Sequence, residues 1–214
     1  MERVKKGTSK GNFKGKDWKE KLFQLGISPE GIEKGERFIC QLEKWSKVHN
    51  LTNYTGNRLG EQLVDSYYPF AKWKLEPRLV VDVGTGAGFP GLAVALFRPE
   101  TKFYLIEPRQ KRVSFLTYIK ILLNLSNVEV VQSRVEQFTL SNPVDLLISR
   151  AVGNWEKIMK LSRHLLIPRK SNILLYRGNN FSPPPFPFKV LTRSYRFYLL
   201  FPFPHLIPEA QDKN

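Results

Sequence analysis

A glycine-rich turn follows directly on a short apolar run, and no other feature of this sequence constrains its fold as strongly. Residues 78–83 include four apolar side chains, and the next eight residues contain Gly84, Gly86, Gly88 and Gly91. The run predicts a buried parallel strand, and residues 91–98 predict the helix after it, with Pro90 suited to its first position. Glycines at the carboxyl end of a strand let the backbone approach a ligand closely, and a helix start offers unpaired amides. A nucleotide-like ligand is indicated, although close packing of strand and helix would also explain the turn.

A second strand-like run ends in a carboxylate. Residues 102–106 are mostly apolar, and Glu107 follows them, where an acidic side chain accepts hydrogen bonds from a ribose diol. Glu107 is equally compatible with a loop charge paired with Arg109 or Lys111. Asp82 lies inside the first strand, so its burial requires partners, either loop amides or a cationic group of the ligand. The glycines also match G-x-G-x-x-G, which suits a dinucleotide enzyme as well.

Four ordered blocks of sequence carry a more specific resemblance. They are VDVGTGAGFPG at 81–91, LIEPRQKRVSFL at 105–116, VQSRVE at 131–136 and ISRA at 148–151. Upstream, WSKVHNLT at 45–52 and Asp65-Ser66 resemble a W-N-x-x-x-N-L-T and a D-S-L segment, with Ser46 in place of the usual asparagine. Together the blocks, which span about residues 40–178, resemble the RsmG (GidB) family. That family comprises bacterial 16S ribosomal RNA guanine-N7 methyltransferases that use S-adenosylmethionine.

The pattern and the resemblance together predict the binding residues. The predicted cofactor-binding residues are Gly84, Gly86, Phe89, Glu107, Val135, Glu136 and Arg150. Gly86 and Glu107 come from the residue pattern, and the resemblance implies the other five. Val135 and Glu136 are also compatible with the start of a short helix, and Arg150 with an ordinary ion pair at a strand end. Arg134 and Arg177 are the predicted substrate-binding residues.

Strand-like and helix-like segments alternate between residues 78 and 177, which predicts a mostly parallel, doubly wound α/β sheet. The resemblance implies the Rossmann-like class I fold of S-adenosylmethionine-dependent methyltransferases. Helical apolar spacing at 18–25, 29–47 and 61–73 predicts an N-terminal helical cap. Four prolines make 182–188 a loop, and 188–201 predict one or two last strands at an antiparallel edge. We expect a basic flexible arm at 1–21, the cap at 22–76, the methyltransferase core at 77–208 and a tail at 209–214.

The net charge of +15 is concentrated in two blocks. Residues 1–21 contribute +5, and residues 157–208 contribute +9 because they contain no acidic side chain. Two basic blocks beside a ligand-binding core are typical of a surface that neutralises phosphates. Arg169, Lys170, Arg177, Arg193 and Arg196 are therefore predicted to contact RNA. The first block is compatible with an inert solvated tail as well.

No acid–base pair accompanies the glycine turn in the sequence. Guanine N7 is an unprotonated acceptor whose lone pair is already available, so methyl transfer to it requires no general base. Alignment of the reacting atoms supplies the catalysis, and we predict no catalytic side chain. His49, His164 and His205 lack metal-ligand spacing, and a single cysteine, Cys40, excludes an internal disulfide.

The sequence predicts a cytoplasmic protein, because no apolar stretch reaches the ~18 residues of a membrane span and the basic start has no apolar core of a signal peptide. Its expected partner is 16S ribosomal RNA or a small-subunit precursor, with no membrane and no metal involved. Two alternatives stay open: an NAD(P)-dependent oxidoreductase with a Rossmann domain, which the glycines and Glu107 permit, and a non-catalytic RNA-binding protein.

Overall fold

A single seven-stranded sheet organises the protein, in a computed structural model that describes residues 17–150, 153–178 and 181–204. The strands are β1 (Leu79–Val83), β2 (Lys102–Ile106), β3 (Val128–Val131), β4 (Leu146–Arg150), β5 (Asn172–Arg177), β6 (Lys189–Arg193) and β7 (Arg196–Pro202). Their order is β3-β2-β1-β4-β5-β7-β6. Strands β1 to β5 are parallel, whereas β7 runs antiparallel to both β5 and β6. The predicted mostly parallel sheet with an antiparallel edge is confirmed.

Helices cover both faces of this sheet. They are α1 (Trp18–Gln24), α2 (Pro29–His49), α3 (Asn57–Trp73), α4 (Gly91–Ala95), α5 (Gln110–Leu122) and α6 (Trp155–Ser162). Side chains alternate between the faces along each strand. Val80 therefore packs into the cluster formed with α1 to α5, while Val81 and Val83 pack into the cluster formed with α6. The doubly wound prediction is confirmed by these two clusters.

The helical cap begins earlier than residue 22. The Asp17 side chain accepts a hydrogen bond from the Trp18 amide at 2.7 Å, and α1 starts there. Trp18 is only 8% exposed because its ring lies against Gly60 of α3, where a Cβ atom would be 2.2 Å from the ring. Residues 17–21 are thus part of the packed cap and not of an arm, since Trp18 anchors them. The rest of the predicted arm, residues 1–16, lies outside the described residues, as does the predicted tail.

Two helix boundaries differ from the predictions above by three residues or more. The helix after the glycine turn ends at Ala95 instead of residue 98, because the Phe97 and Arg98 amides donate to carbonyls three residues back and tighten the chain. Helix α3 begins at Asn57, before the predicted residue 61, since Gly60 and the polar residues around it obscure the apolar spacing. The proline-rich loop at 182–188 contains neither helix nor strand, as predicted.

Candidate active site

The glycine turn lies at the carboxyl end of β1. Gly84, Gly86 and Gly88 have φ angles of 71°, 62° and 101°, in the left-handed region that side chains disfavour. The Gly84 amide donates to the Ile106 carbonyl at 2.9 Å, so the turn is fixed to the end of the neighbouring strand β2. This geometry holds the turn open above the edge of the sheet.

Glu107 connects the turn to the start of α5. Its Oε2 atom accepts a hydrogen bond from the Gly86 amide at 3.0 Å, and its Oε1 atom accepts one from the Arg109 amide at 3.0 Å. The Arg112 Nη1 atom lies 3.4 Å from Oε2. Each carboxylate oxygen has two lone pairs, so acceptor capacity remains for a ligand hydroxyl. The residue is thus more than a loop charge, since it holds the glycine turn in place.

Asp82 is completely buried below the turn. Its Oδ2 atom accepts a hydrogen bond from the Gly91 amide at 2.7 Å, which is one of the two kinds of partner expected for it. A Cβ atom on Gly91 would lie 2.5 Å from that oxygen, so only glycine fits there. Burial raises the pKa of Asp82 to about 6 from its usual 3.8, against the opposing effects of the Thr85 hydroxyl, the Gly91 amide and Arg150.

The raised pKa of Asp82 predicts a pH-dependent cost to stability. The unfolded chain releases this proton near pH 4, but the folded chain holds it until about pH 6, so ionisation favours unfolding and stability is lost as the pH rises between these values. At 1.36 kcal/mol per unit, the full cost is about 3 kcal/mol above pH 6. We therefore expect the free energy of unfolding of Asp82→Asn, relative to that of the unsubstituted protein, to rise by about 1 kcal/mol from about pH 5 to pH 7.5. Urea unfolding at a series of pH values measures this difference. A stability difference that does not change with pH would contradict the assignment.

A cavity of about 590 Å³ opens beside the turn, at the carboxyl ends of the parallel strands. It brings together all seven predicted cofactor-binding residues: Gly84, Gly86, Phe89, Glu107, Val135, Glu136 and Arg150. Arg134 also lines this cavity. Arg177 does not: it lines a neighbouring cavity with Trp155 and donates a hydrogen bond to the Gly153 carbonyl. Val135 begins a short 3-10 turn, as the alternative interpretation had it, and still lines the cavity.

Arg150 forms the inner wall of the cavity at the end of β4. Its guanidinium lies 5.2 Å from the centre of the Phe89 ring, and its Nη1 atom donates to the Gln62 side-chain carbonyl at 2.6 Å. Burial lowers the pKa of Arg150, and so does nearby Arg196, while Asp82 and Asp65 act in the opposite direction. Its hydrogen-bond partner is an uncharged amide, so the side chain keeps its positive charge facing the cavity.

Sequence reasoning missed several residues at this site. The additional lining residues are Leu51, Thr52, Arg109, Arg112, Ser133 and Lys157, among others. Leu51 and Thr52 belong to the N-L-T segment that carried part of the resemblance, and that segment was the signal that could have identified them. Gln62 carried no signal, because its role depends on the contact between α3 and β4.

The charge prediction is corrected at Arg193. Its guanidinium forms ion pairs with Asp65 and with Glu61, the latter at 2.6 Å, so these acids of α3 neutralise it. Arg169 and Lys170 precede β5 and lie at the opposite edge of the sheet from the cavity. The exposed cations at the cavity itself are Arg109, Arg134 and Lys157.

The residues present fit a nucleoside-containing cofactor. The cavity volume lies within the 300–1,000 Å³ range of small-molecule sites. Positive-φ glycines leave room for a ligand along the backbone, and Glu107 and Glu136 supply acceptors. In the dinucleotide-binding order, the sheet continues past the fifth position with a parallel strand, whereas β7 here is antiparallel. Fold and site together define a Rossmann-like α/β protein with a cavity that fits a nucleoside-containing cofactor.

Solved structures share this fold. A methyltransferase from Geobacter sulfurreducens aligns with a TM-score of 0.58 and 15% identity over 87% of this chain and 96% of that one. An S-adenosylmethionine-dependent methyltransferase from Aquifex aeolicus aligns with a TM-score of 0.51 and 21% identity over 74% of this chain and 96% of the other.

Sequence comparison identifies the family. The family model of GidB, rRNA small subunit methyltransferase G, matches residues 31–182. Ribosomal RNA small subunit methyltransferase G of Wolinella succinogenes is 40% identical over 161 residues, which cover 74% of this chain and 81% of the relative. The protein of that name from Aliarcobacter butzleri is 40% identical over 156 residues, 72% of this chain and 79% of the relative. The chain belongs to this family, as the four sequence blocks predicted.

Within the described ranges 17–150, 153–178 and 181–204, no helix is long and apolar enough to cross a membrane. The same ranges contain no group of three or more His, Cys, Asp or Glu side chains that could hold a metal ion.

Proposed function

We propose that this protein transfers a methyl group from S-adenosylmethionine to N7 of one guanosine in the decoding-region loop of 16S ribosomal RNA. Family membership confirms the class, an enzyme that methylates small-subunit ribosomal RNA with S-adenosylmethionine. N7 as the acceptor atom, the loop and the cytoplasmic location are parts of the proposal. Its substrate is the free RNA or a precursor of the small subunit.

One observation carries the choice of N7. The described residues that line the cavity include no histidine, cysteine or tyrosine; of its two carboxylates, Glu107 is held by two amides and Arg112, and Glu136 is assigned to the cofactor. An exocyclic amine or a ribose hydroxyl must lose a proton during methylation, whereas N7 has no proton to lose. A site without an acting base therefore favours N7.

The chain's own residues bind and orient the reactants. The glycine turn and Glu107 hold the nucleoside part of the cofactor, and Val135, Glu136, Phe89 and Arg150 form the walls. When bound, the cofactor supplies a methyl group on a sulfonium: the N7 lone pair forms the new bond, the C–S pair stays on sulfur, and the positive charge moves to the purine. Arg134 is placed to position RNA, because it is exposed at the cavity rim. Alignment of this kind replaces general acid–base chemistry.

The reaction can be located chemically. N7-methylguanosine carries positive charge on its ring, so reduction followed by strand scission cuts the RNA at that nucleotide. We expect scission at one guanosine of 16S ribosomal RNA, absent from cells that lack the protein and restored by the unsubstituted chain. Methylation of another atom, or of no RNA, would refute the proposal.

The exposed cations at the cavity predict a salt-dependent RNA interaction. Replacing Arg109, Arg134 and Lys157 with glutamine should weaken RNA binding and reduce the slope of log affinity against log salt by about 2, because fewer counterions are released. Replacing Arg169, Lys170 and Lys189 in the same way is the matched control, since these exposed cations lie at the other edge of the sheet. Equal slopes for the two triple variants would contradict the RNA-binding role of the rim.

A further inference from the structure

Another cavity, of about 360 Å³ and distinct from the one lined by Arg177 and Trp155, lies between the first half of α3 and the turn that joins β6 to β7. It is called the second cavity below. Its lining includes Tyr54, Glu61, Gln62, Asp65 and Tyr195. Arg193 and Arg196 lie opposite each other in the β6–β7 register, where the two strands meet. The two-residue turn between them therefore has Tyr195 at its tip. Tyr195 is 56% exposed there, and the Arg196 guanidinium lies 5.4 Å from the centre of its ring.

The second cavity is adjacent to the first. Gln62 lines the second cavity and accepts the hydrogen bond from Arg150, which lines the first. The Arg150–Gln62 pair therefore forms a shared wall at the carboxyl edge of the sheet. A methyl acceptor must approach its donor closely, so a neighbouring cavity at this edge is where an acceptor would enter.

The lining of the second cavity suits a nucleobase better than a phosphate. Arg58 and Arg193 are balanced by Glu61 and Asp65, and Arg193 is ion-paired with both acids. A phosphate would meet two carboxylates there. Unstacked RNA bases, in contrast, are held by aromatic side chains and by hydrogen bonds to their edges. Tyr54 and Tyr195, both exposed, supply the aromatic surfaces.

Asp65 offers the acceptor that distinguishes guanine. Its side chain is 6% exposed, and its Oδ1 atom accepts hydrogen bonds from Arg193 and, at 3.4 Å, from Tyr198. Its Oδ2 atom forms an ion pair with the Arg196 Nε atom at 3.8 Å, which is too long for a hydrogen bond, so this oxygen can still accept one from a ligand. Guanine presents adjacent N1–H and N2–H donors on its Watson–Crick edge, a pair that the other bases lack. A carboxylate bound there leaves N7, on the opposite edge, accessible.

We propose that this second cavity receives the extruded target guanine, with Tyr195 and Tyr54 against its faces and Asp65 accepting hydrogen bonds from its Watson–Crick edge. The assignment rests on the proposed function and adds the residues that select the base. Arg193 and Tyr198 are the positioning residues, since they hold Asp65 in place. N7 then points away from Asp65, toward the Arg150–Gln62 pair, where the second cavity meets the first.

The substrate analogues inosine and 7-deazaguanosine test the cavity with the unsubstituted protein. Inosine keeps N7 but lacks the N2 donor, so methylation of a short RNA with inosine at the target should show kcat/KM reduced at least about tenfold. 7-Deazaguanosine cannot be methylated but keeps the Watson–Crick edge, so its RNA should compete for binding as well as the guanosine RNA does. Equal kcat/KM for inosine, or weak competition by the 7-deaza RNA, would overturn the proposal.

Variants at the cavity test the residues named. Tyr195→Ala should lower kcat/KM for RNA about tenfold through lost stacking, with unchanged affinity for S-adenosylhomocysteine, while Tyr195→Phe should retain activity. Phe23→Ala is the matched control, because Phe23 is an exposed aromatic residue, 62% exposed, on α1. Asp65→Asn should reduce the preference for guanosine over inosine. If that variant does not fold, the comparison of Tyr195→Ala with Phe23→Ala decides. Equal kcat/KM for these two variants would overturn the proposal that the second cavity receives guanine.

Failure of the cavity and failure of the proposed function give different results. Binding competition between 7-deazaguanosine and inosine RNAs requires no methyl transfer. If the protein methylates no RNA yet binds the 7-deazaguanosine RNA at least about tenfold more tightly than the inosine RNA, the guanine assignment of the second cavity is retained and the proposed reaction fails. If it methylates guanosine and inosine equally well, the proposed reaction is retained and the guanine assignment of the second cavity is rejected.

Discussion

Replacing Gly86 with valine is expected to abolish measurable binding of S-adenosylhomocysteine while the chain still folds. Gly86 has a φ angle of 62°, which costs a branched side chain on the order of 1–2 kcal/mol. A Cβ atom there would meet no side chain nearer than the Arg112 Nη1 atom at 3.7 Å, so the methyl groups would extend into the cavity. Displacement of the Gly86 amide would also break its hydrogen bond to Glu107. An affinity loss of at least about 100-fold is expected, equivalent to about 2.7 kcal/mol.

Gly26 provides the matched control for backbone strain. Its φ angle is 88°, and a Cβ atom there would have nothing within 4 Å. Gly26→Val should therefore lose a similar amount of stability, measured by thermal melting, but bind S-adenosylhomocysteine normally in calorimetry. Equal affinities of the two variants would show that the cavity beside Gly86 is not the cofactor site.

The sheet was predictable because buried parallel strands leave continuous apolar runs. Residues 102–106 were predicted as a strand and form β2 without a change of boundary. Helix ends were less accessible, since they depend on backbone tightening such as that at Phe97 and Arg98. The apolar spacing at 18–25 predicted the first cap helix, but the boundary of the cap was set at residue 22 because the basic residues before it suggested an arm; the packing of Trp18 against Gly60, 42 positions away, joins residues 17–21 to the cap.

The lining of the first cavity was largely predictable for a topological reason. Gly84, Glu107, Val135 and Arg150 lie at or just after the carboxyl ends of β1, β2, β3 and β4, and parallel strands bring those ends to one edge. Gln62 comes from the cap, so its place beside Arg150 had to be seen in the structure. The assignment of individual roles to the cavity residues stays a prediction.

Counting charges misled the sequence analysis at one place. The acid-free stretch 157–208 indicated a surface that neutralises RNA phosphates, but Arg193 pairs with Glu61 and Asp65, which lie more than 120 positions earlier. Net charge over a segment reports what is nearby in sequence, whereas neutralisation depends on what is nearby in space. The ion pairs instead anchor the β6–β7 turn to α3.

Arg150 connects three features of the site. Its guanidinium contacts the Phe89 ring, its Nη1 atom donates to Gln62, and its charge helps to keep Asp82 ionised. It also belongs to the wall between the two cavities. A planar, forked cation can stack on a ring and hydrogen-bond at the same time, which a lysine ammonium cannot do.

We therefore expect Arg150→Lys to lower kcat/KM for ribosomal RNA methylation by about 10- to 100-fold and Arg150→Met by more, since a charge-assisted hydrogen bond contributes about 1.5–3 kcal/mol. The loss of its charge in Arg150→Met should also move the pKa of Asp82 further upward, because Arg150 now lowers that pKa. Arg37→Lys is the control: Arg37 is exposed on α2 and, among the residues that the structure describes, makes one side-chain hydrogen bond, to the Leu122 carbonyl at 3.3 Å, so its replacement should leave kcat/KM unchanged. Methyl transfer by Arg150→Lys at the rate of the unsubstituted protein would mean that charge alone suffices at this wall, and that the fork and the ring contact are dispensable.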